Sequence, residues 1–233
     1  MFKKPKEKIF EFKIRGIELK VVDFETSLAP KWIANELEKN RYGIENINFE
    51  PEDVVIDIGA HIGMVSIYLG KKFPFLKIYS FEPIPDNYKH FLKNIKINNV
   101  NNIDPFNLAV TADGRNLPMI VNFFDNSGGA TACLRNMRLP GHFRFVVKSV
   151  TLDDIFERHK IKKCRLLKID CEGCEHEVLT KTTVLPKIEH LSGEFHINER
   201  LRSQGYSSEA LMKRCQKFIS PRRLNIKIIK MAD

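Results

Sequence analysis

The run Val54-Val55-Ile56-Asp57-Ile58-Gly59-Ala60-His61-Ile62-Gly63 constrains this chain more than any other stretch. Its apolar start fits a strand covered on both faces, as in a parallel sheet. Gly59 ends the strand, and Ile62 to Lys72 has helical texture. Glycines in such a turn let the backbone bend sharply and let a ligand press against main-chain N–H groups. The D-x-G-x-x-x-G spacing lacks the G-x-G-x-x-G repeat that accommodates a pyrophosphate. Asp57, at the strand end, suits a ligand with a positive group, such as the sulfonium and ammonium of adenosylmethionine.

The rhythm continues with a strand over Lys77–Phe81 and a helix over Asp86–Asn98, with Phe91, Leu92 and Ile95 on one side. A third strand is expected over Ile103–Val110. Strand and helix alternating at this spacing predict a doubly wound, mostly parallel α/β sheet with helices on both faces. Residues 1–50 read as an N-terminal extension of that domain (51–233). They hold a hairpin, Ile9–Ile14 and Ile17–Phe24, and a helix over Ser27–Asn40 opened by Ser27. After the third strand the rhythm breaks. Leu117–Phe124 and Phe143–Thr151 read as strands around a polar stretch, Asp125–Gly141, an insertion on the substrate side. The remaining elements are a helix at Leu152–His159, a strand at Arg165–Asp170 and a helix at Glu175–Thr183. A strand at Ile188–His196, a helix at Ser207–Phe218 and a strand at Leu224–Lys230 complete the chain.

Two further constellations carry chemistry. Glu82-Pro83 follows the second strand, where a carboxylate can accept hydrogen bonds from both ribose hydroxyls of a nucleoside. Leu166-Leu167-Lys168-Ile169-Asp170-Cys171-Glu172-Gly173-Cys174-Glu175 is a buried strand ending in two carboxylates. Charges at such a position are costly unless they serve a site. Capping of the next helix is the plainer alternative for Asp170 or Glu172.

The 233 residues are 43% hydrophobic and 29% charged, which gives one α/β domain a full core. The formal charge of +9 is scattered rather than gathered in a polyanion-binding stripe. Cys171 and Cys174 form a lone C-x-x-C beside two glutamates, which reads as a pair of reduced thiols rather than a zinc or redox motif. No apolar run is long enough to span a bilayer, and Met1–Lys8 does not read as a signal peptide, so a cytoplasmic location is expected.

The chain resembles FkbM-type methyltransferases. The matching stretches are VVIDIGAHIG (54–63), FEP (81–83), NLAVTADG (107–114), GGAT (128–131), VTLDDIF (150–156), LLKIDCEGCEHEVL (166–179) and GEFH (193–196). The resemblance covers about residues 50–198. It implies a Rossmann-like, seven-stranded-type class I fold, S-adenosyl-L-methionine as donor, and methylation of an oxygen. It implies that Asp57, Gly59, Ala60 and Gly63 line the methionine end, with His61 in the same loop. It further implies that Glu82, beside Pro83, holds the ribose, that Leu108 and Ala109 lie near adenine, and that Asp170 and Glu172 face the reacting centre. Two departures are the cysteines at 171 and 174, where the family has small apolar residues, and a match that fades after His196.

A hydroxyl acceptor must lose its proton, so a general base is expected. The candidates are Asp170, Glu172, His176, Glu194 and His196. His196 or Glu194 is the expected base, with Asp170 orienting, whereas His61 and His176 read as turn and helix-surface histidines. No metal is assigned, although Asp170, Glu172 and Glu194 form an alternative magnesium set. The expected acceptor is a carbohydrate or small molecule. The alternatives are a nucleic-acid methyltransferase, for which no Asn-Pro-Pro-Tyr or Pro-Cys motif is present, and a non-catalytic cofactor-binding module.

Overall fold

Strand periodicity decides which core each residue of Val54–Ile58 enters. Val55 joins one apolar cluster, whereas Ile56 and Ile58 join another on the opposite face. The computed structural model describes residues 5–122 and 142–231. The chain opens with a hairpin of β1 (Glu7–Ile14) and β2 (Ile17–Phe24), then α1 (Ala29–Glu38). There follow β3 (Val54–Ile58), α2 (Met64–Lys72), β4 (Lys77–Phe81), α3 (Pro85–Ile97) and β5 (Ile103–Phe106). Short strands β6 (Ala109–Val110), β7 (Leu117–Asn122), β8 (His142–Val147) and β9 (Ser149–Val150) come next. The last part holds α4 (Leu152–Arg158), β10 (Cys164–Ile169), α5 (Glu175–Lys181), β11 (Ile188–Ile197), α6 (Glu199–Ser203), α7 (Ser208–Gln216) and β12 (Leu224–Lys230).

The main sheet runs β12-β11-β10-β3-β4-β5, and all its pairings are parallel. The order reverses between β3 and β10, which opens a crevice at their carboxyl ends. One face carries α2, α3 and the hairpin, through Ile67, Phe91, Leu19 and Val21. The other carries α4, α5 and α7, through Phe156, Leu179 and Leu211. The Rossmann-like α/β class read from the sequence is therefore the observed one. The seven-stranded expectation is corrected: among the described residues the sheet has six strands and none is antiparallel.

The hairpin docks through its backbone as well as its apolar face. Asn94 on α3 accepts a hydrogen bond from the Val22 N–H at 2.6 Å and donates back to the Val22 carbonyl at 3.2 Å. Asn98, one turn later, treats Lys20 in the same way, accepting from its N–H at 3.1 Å and donating to its carbonyl. Two amide side chains thus stand in for a third strand along the edge of β2.

Other expectations need correction. The strand predicted over Ile103–Val110 divides at Asn107, whose amide donates to the Glu82 and Pro83 carbonyls. Only Ile103–Phe106 joins the main sheet, while β6 pairs with β9. On α3, Leu92 is 43% exposed, and Asn87, His90 and Asn94 are buried beside Phe91. Ser27 is not the cap of α1. Leu28 precedes the helix without a side-chain cap, and Ser27 Oγ accepts from the Ala29 N–H at 3.3 Å. The helix α6 was not anticipated. GGAT at 128–131, Cys133 and most of the polar insertion lie outside the described residues. No helix among the described residues is long and apolar enough to cross a membrane.

Candidate active site

A cavity of about 320 Å³ lies at the carboxyl ends of β3, β4, β10 and β11, within the size range of small-molecule sites. Its floor is the glycine loop. Gly59 has φ +78°, and a Cβ there would fall 1.8 Å from the Asp170 carbonyl oxygen. The tips of β3 and β10 therefore approach as closely as a glycine allows. Gly63, with φ +84°, lies behind the loop, where a Cβ would strike the Phe91 ring at 1.9 Å. Gly63 is not among the cavity-lining residues, in contrast to Gly59, Ala60 and His61. Its need for glycine is one of packing.

Glu82 leaves the end of β4 and lines the cavity, 4% exposed. One carboxylate oxygen accepts the His61 N–H at 2.8 Å. The other accepts the Ile84 N–H at 2.8 Å and lies 3.4 Å from the Asn87 amide nitrogen. Burial pushes its pKa up to about 7 despite these donors. Asn87 Oδ1 is buried with no hydrogen-bond partner among the described residues, as are both ring nitrogens of His61. Burial lowers the His61 pKa to about 4, so its ring is neutral. Pro83, Leu108 and Ala109 line the same space, with Ile84, Leu117 and Met119 adding apolar surface.

Asp57 does not face this cavity, which corrects the expectation for it. It follows Val55 by two residues and so points toward α2. There it accepts from Ser66 Oγ at 2.6 Å and lies 3.2 Å from Lys168 Nζ. Asp57 is 0% and Lys168 4% exposed. Burial opposes the ammonium form, but Asp57 and Asp170 outweigh it and keep Lys168 charged. Lys168 also donates to the Gly59 carbonyl at 2.7 Å. The acid at 57 thus acts on the glycine loop through a lysine on the next strand.

The opposite wall is acidic. Asp170, Glu172 and Glu194 line the cavity, and His196 stands behind them, 3% exposed. Burial raises the Asp170 pKa, partly offset by Lys168 and His196. Burial likewise lifts Glu172 to about 7. Glu194 Oε1 accepts from Lys227 Nζ at 2.7 Å. The Nδ1 of His196 lies 3.1 Å from Glu175 Oε1. Burial disfavours its charged ring, yet the Glu175 bond and the nearby carboxylates prevail and raise its pKa to about 9. The charged ring is therefore favoured, which counts against His196 as the expected base. His176, expected on a helix surface, is buried, with Nε2 2.8 Å from the His196 carbonyl oxygen. Burial holds the Cys171 thiol well above its ordinary pKa, so it stays protonated.

Sequence reasoning missed Asn87, Lys168 and Lys227, and named no residue on the α1 side of the cavity, where Trp32, Ile33 and Glu36 lie with Tyr42. The F-E-P motif with an asparagine five residues on was a usable signal for Asn87. Nothing local marked the others.

The FkbM methyltransferase domain model matches residues 57–215. The match runs past His196, beyond the last of the matching motifs. Methyltransferase sdnD of Sordaria araneosa is 25% identical over 166 residues, covering 59% of this chain and 62% of that one. The 31-O-demethyl-FK506 methyltransferase FkbM of Streptomyces tacrolimicus is 25% identical over 182 residues, covering 67% and 69%. The hexuronic acid methyltransferase AglP of Haloferax volcanii is 24% identical over 191 residues, covering 76% and 73%. The chain spans 62% of the length of the Sordaria relative and 59% of that of Methyltransferase 1 of Beauveria bassiana. With more than half of its length under the family model, this chain belongs to the FkbM methyltransferase family.

Proposed function

We propose that this protein transfers the methyl group of S-adenosylmethionine to a hydroxyl of a sugar or another small metabolite. One observation carries the reading. Glu82 and the glycine loop bonded to it form one wall of a cavity whose other wall is a carboxylate cluster. A sulfonium nucleoside brings a diol and a positive charge, one suited to each wall.

The residues present fit that cofactor. Glu82 and the buried, unpartnered Asn87 Oδ1 would accept the ribose hydroxyls. Leu108, Ala109, Leu117 and Met119 offer an apolar slot for adenine, and the main chain of 59–61 meets the methionine end. The cofactor supplies an electrophilic methyl group, while the protein aligns the acceptor and manages its proton. Asp170, which points into the cavity, orients the acceptor hydroxyl. Glu194, held at Oε1 by Lys227, takes the proton at Oε2. The acceptor approaches past Trp32, 53% exposed at the α1 side, whose face suits a sugar ring. Relatives named for hexuronic acid and 31-O-demethyl-FK506 favour a small acceptor over nucleic acid. Residues 1–50 serve as an acceptor-side extension of the 51–233 domain, and the free thiols of Cys164, Cys171, Cys174 and Cys215 suit the cytoplasm.

Calorimetry with S-adenosylmethionine and S-adenosylhomocysteine tests the cofactor, with binding of both expected. Mass spectrometry after incubation with labelled cofactor and sugars, lipids, small metabolites or RNA tests the acceptor. Absence of cofactor binding overturns the reading, and label carried only by RNA overturns the acceptor class.

A further inference from the structure

His196 is a buried histidine built like a metal ligand. Its Nδ1 is tied to Glu175 Oε1 at 3.1 Å, and Glu175 is itself fully engaged. Glu175 accepts the Cys171 N–H at one oxygen and the Gly173 N–H at the other, both at 2.8 Å. That leaves the second ring nitrogen, Nε2, directed at the acidic wall of the cavity. It lies 3.7 Å from Glu172 Oε2 and 3.5 Å from Glu194 Oε2, both too long for hydrogen bonds. A carboxylate fixing one imidazole nitrogen while the other faces a cluster of oxygen donors is the outer-shell arrangement that orients histidine ligands.

The donors on the cavity side complete the picture. One oxygen each from Asp170 and Glu172 and one nitrogen from His196 lie within 4.8 Å of one another. Donors around a single divalent ion with bonds of about 2.1 Å stand roughly 3 to 4 Å apart, so small side-chain rotations close the set. Asp170 and Glu172 lie in the turn after β10 and His196 on β11, so the β10–β11 pairing brings the imidazole to the two acids. The carboxylates of Asp170, Glu172, Glu175 and Glu194 surround this one imidazole, with Lys227 beside Glu194 and Lys168 acting on Asp170.

We infer that Asp170, Glu172 and His196 bind a divalent cation of the manganese or magnesium class, oriented by Glu175 and open to the cavity. One imidazole with two carboxylates suits manganese, which accepts nitrogen and oxygen donors, and magnesium competes for the oxygens. The ion takes the place of the Nε2 proton of His196, so its binding releases a proton. Three protein ligands leave positions free for water or an acceptor oxygen, whose hydroxyl the ion would acidify beside Glu194. This departs from the sequence reading, which assigned no metal and grouped Glu194 rather than His196 with the acids. The site itself does not depend on the methyl donor, and only its role toward the acceptor rests on the proposed function.

The test uses the full chain, stripped with chelator and titrated with manganese(II) by calorimetry and electron paramagnetic resonance. One saturable site is expected, displaced by magnesium. Glu172→Gln and His196→Gln should each weaken it about tenfold or more, and Glu175→Gln, which touches no cation, by a similar factor. Circular dichroism reports whether each variant folds, and Glu172→Gln, on a partly exposed side chain, decides the matter if His196→Gln does not. The inference is overturned by the absence of a site tighter than about 1 mM, or by folded Glu172→Gln protein that binds manganese as the parent does. S-adenosylmethionine titrated into the same samples separates the two readings. Cofactor binding without manganese binding defeats the metal site alone, whereas manganese binding without cofactor binding defeats the proposed function alone.

Discussion

The Glu82 carboxylate accepts the main-chain N–H of His61, 21 residues earlier in the chain, at 2.8 Å. This bond fixes the glycine loop against the end of the neighbouring strand, so Glu82 shapes the pocket and also offers it a carboxylate. Glu82→Ala is expected to weaken S-adenosylmethionine binding by about tenfold or more, the loss of a charged hydrogen bond plus a loosened loop. Calorimetry measures it, and unchanged affinity would remove Glu82 from the ribose role.

Lys168 and Asp57 form a buried pair at 3.2 Å beneath the loop. Removing one partner strands a charge in the core, so Lys168→Met should destabilise the fold by about 3–5 kcal/mol. The double variant Lys168→Met/Asp57→Leu should recover much of this. Urea denaturation measures both, and a double variant no more stable than the single would contradict the pairing.

Asp170 lines the cavity beside the glycine loop without holding the ribose end. Asp170→Asn should therefore leave cofactor affinity within about threefold while abolishing methyl transfer, since it removes an interaction with the reacting groups. A turnover assay on the identified acceptor, paired with calorimetry, checks this. Normal turnover would take Asp170 out of the mechanism.

Much of the architecture was legible because it depends on local pattern. The apolar run at Val54–Ile58, the hairpin around Gly16 and the Ser207 cap of α7 each announce themselves within a few residues. The site was legible only in part. Asp57 was assigned to the ligand because its strand-end position is visible in sequence, but its partner Lys168 is not. The β3–β10 register that sets Asp57 opposite Lys168 joins residues more than a hundred positions apart. The contact of His196 with Glu175 was invisible for the same reason, since Glu175 reaches it only through tertiary packing. The burial of Asn94 on α3 defied hydrophobic periodicity, because its polar atoms are satisfied by the backbone of β2.

Protonation should tune stability in one direction across the neutral range. Burial raises the Glu82 pKa from 4.5 to about 7, and in His196 the Glu175 bond overcomes burial to raise the pKa from 6.5 to about 9. Both raised values mean that the folded state binds more protons than the unfolded chain. Their contributions are complete below pH 4.5 for Glu82 and below 6.5 for His196. They are lost as pH climbs through about 7 and about 9 respectively. Below pH 6.5 the neutral His61, whose pKa burial lowers to about 4, opposes the Glu82 effect. The melting temperature in chelator should therefore fall from pH 6.5 to pH 9.5, and Glu82→Gln should flatten the lower part of that decline. A melting temperature that rises over this range would contradict the assignment.

The two asparagines of α3 that mirror the backbone of β2 have a consequence for how the protein behaves among its own copies. An open strand margin invites another chain to add itself, and repeated addition leads to aggregates. Asn94 and Asn98 occupy that margin from within the molecule, so the hairpin offers no docking rail there. Alanine at both positions should free that margin for pairing, and self-association should then increase as concentration rises.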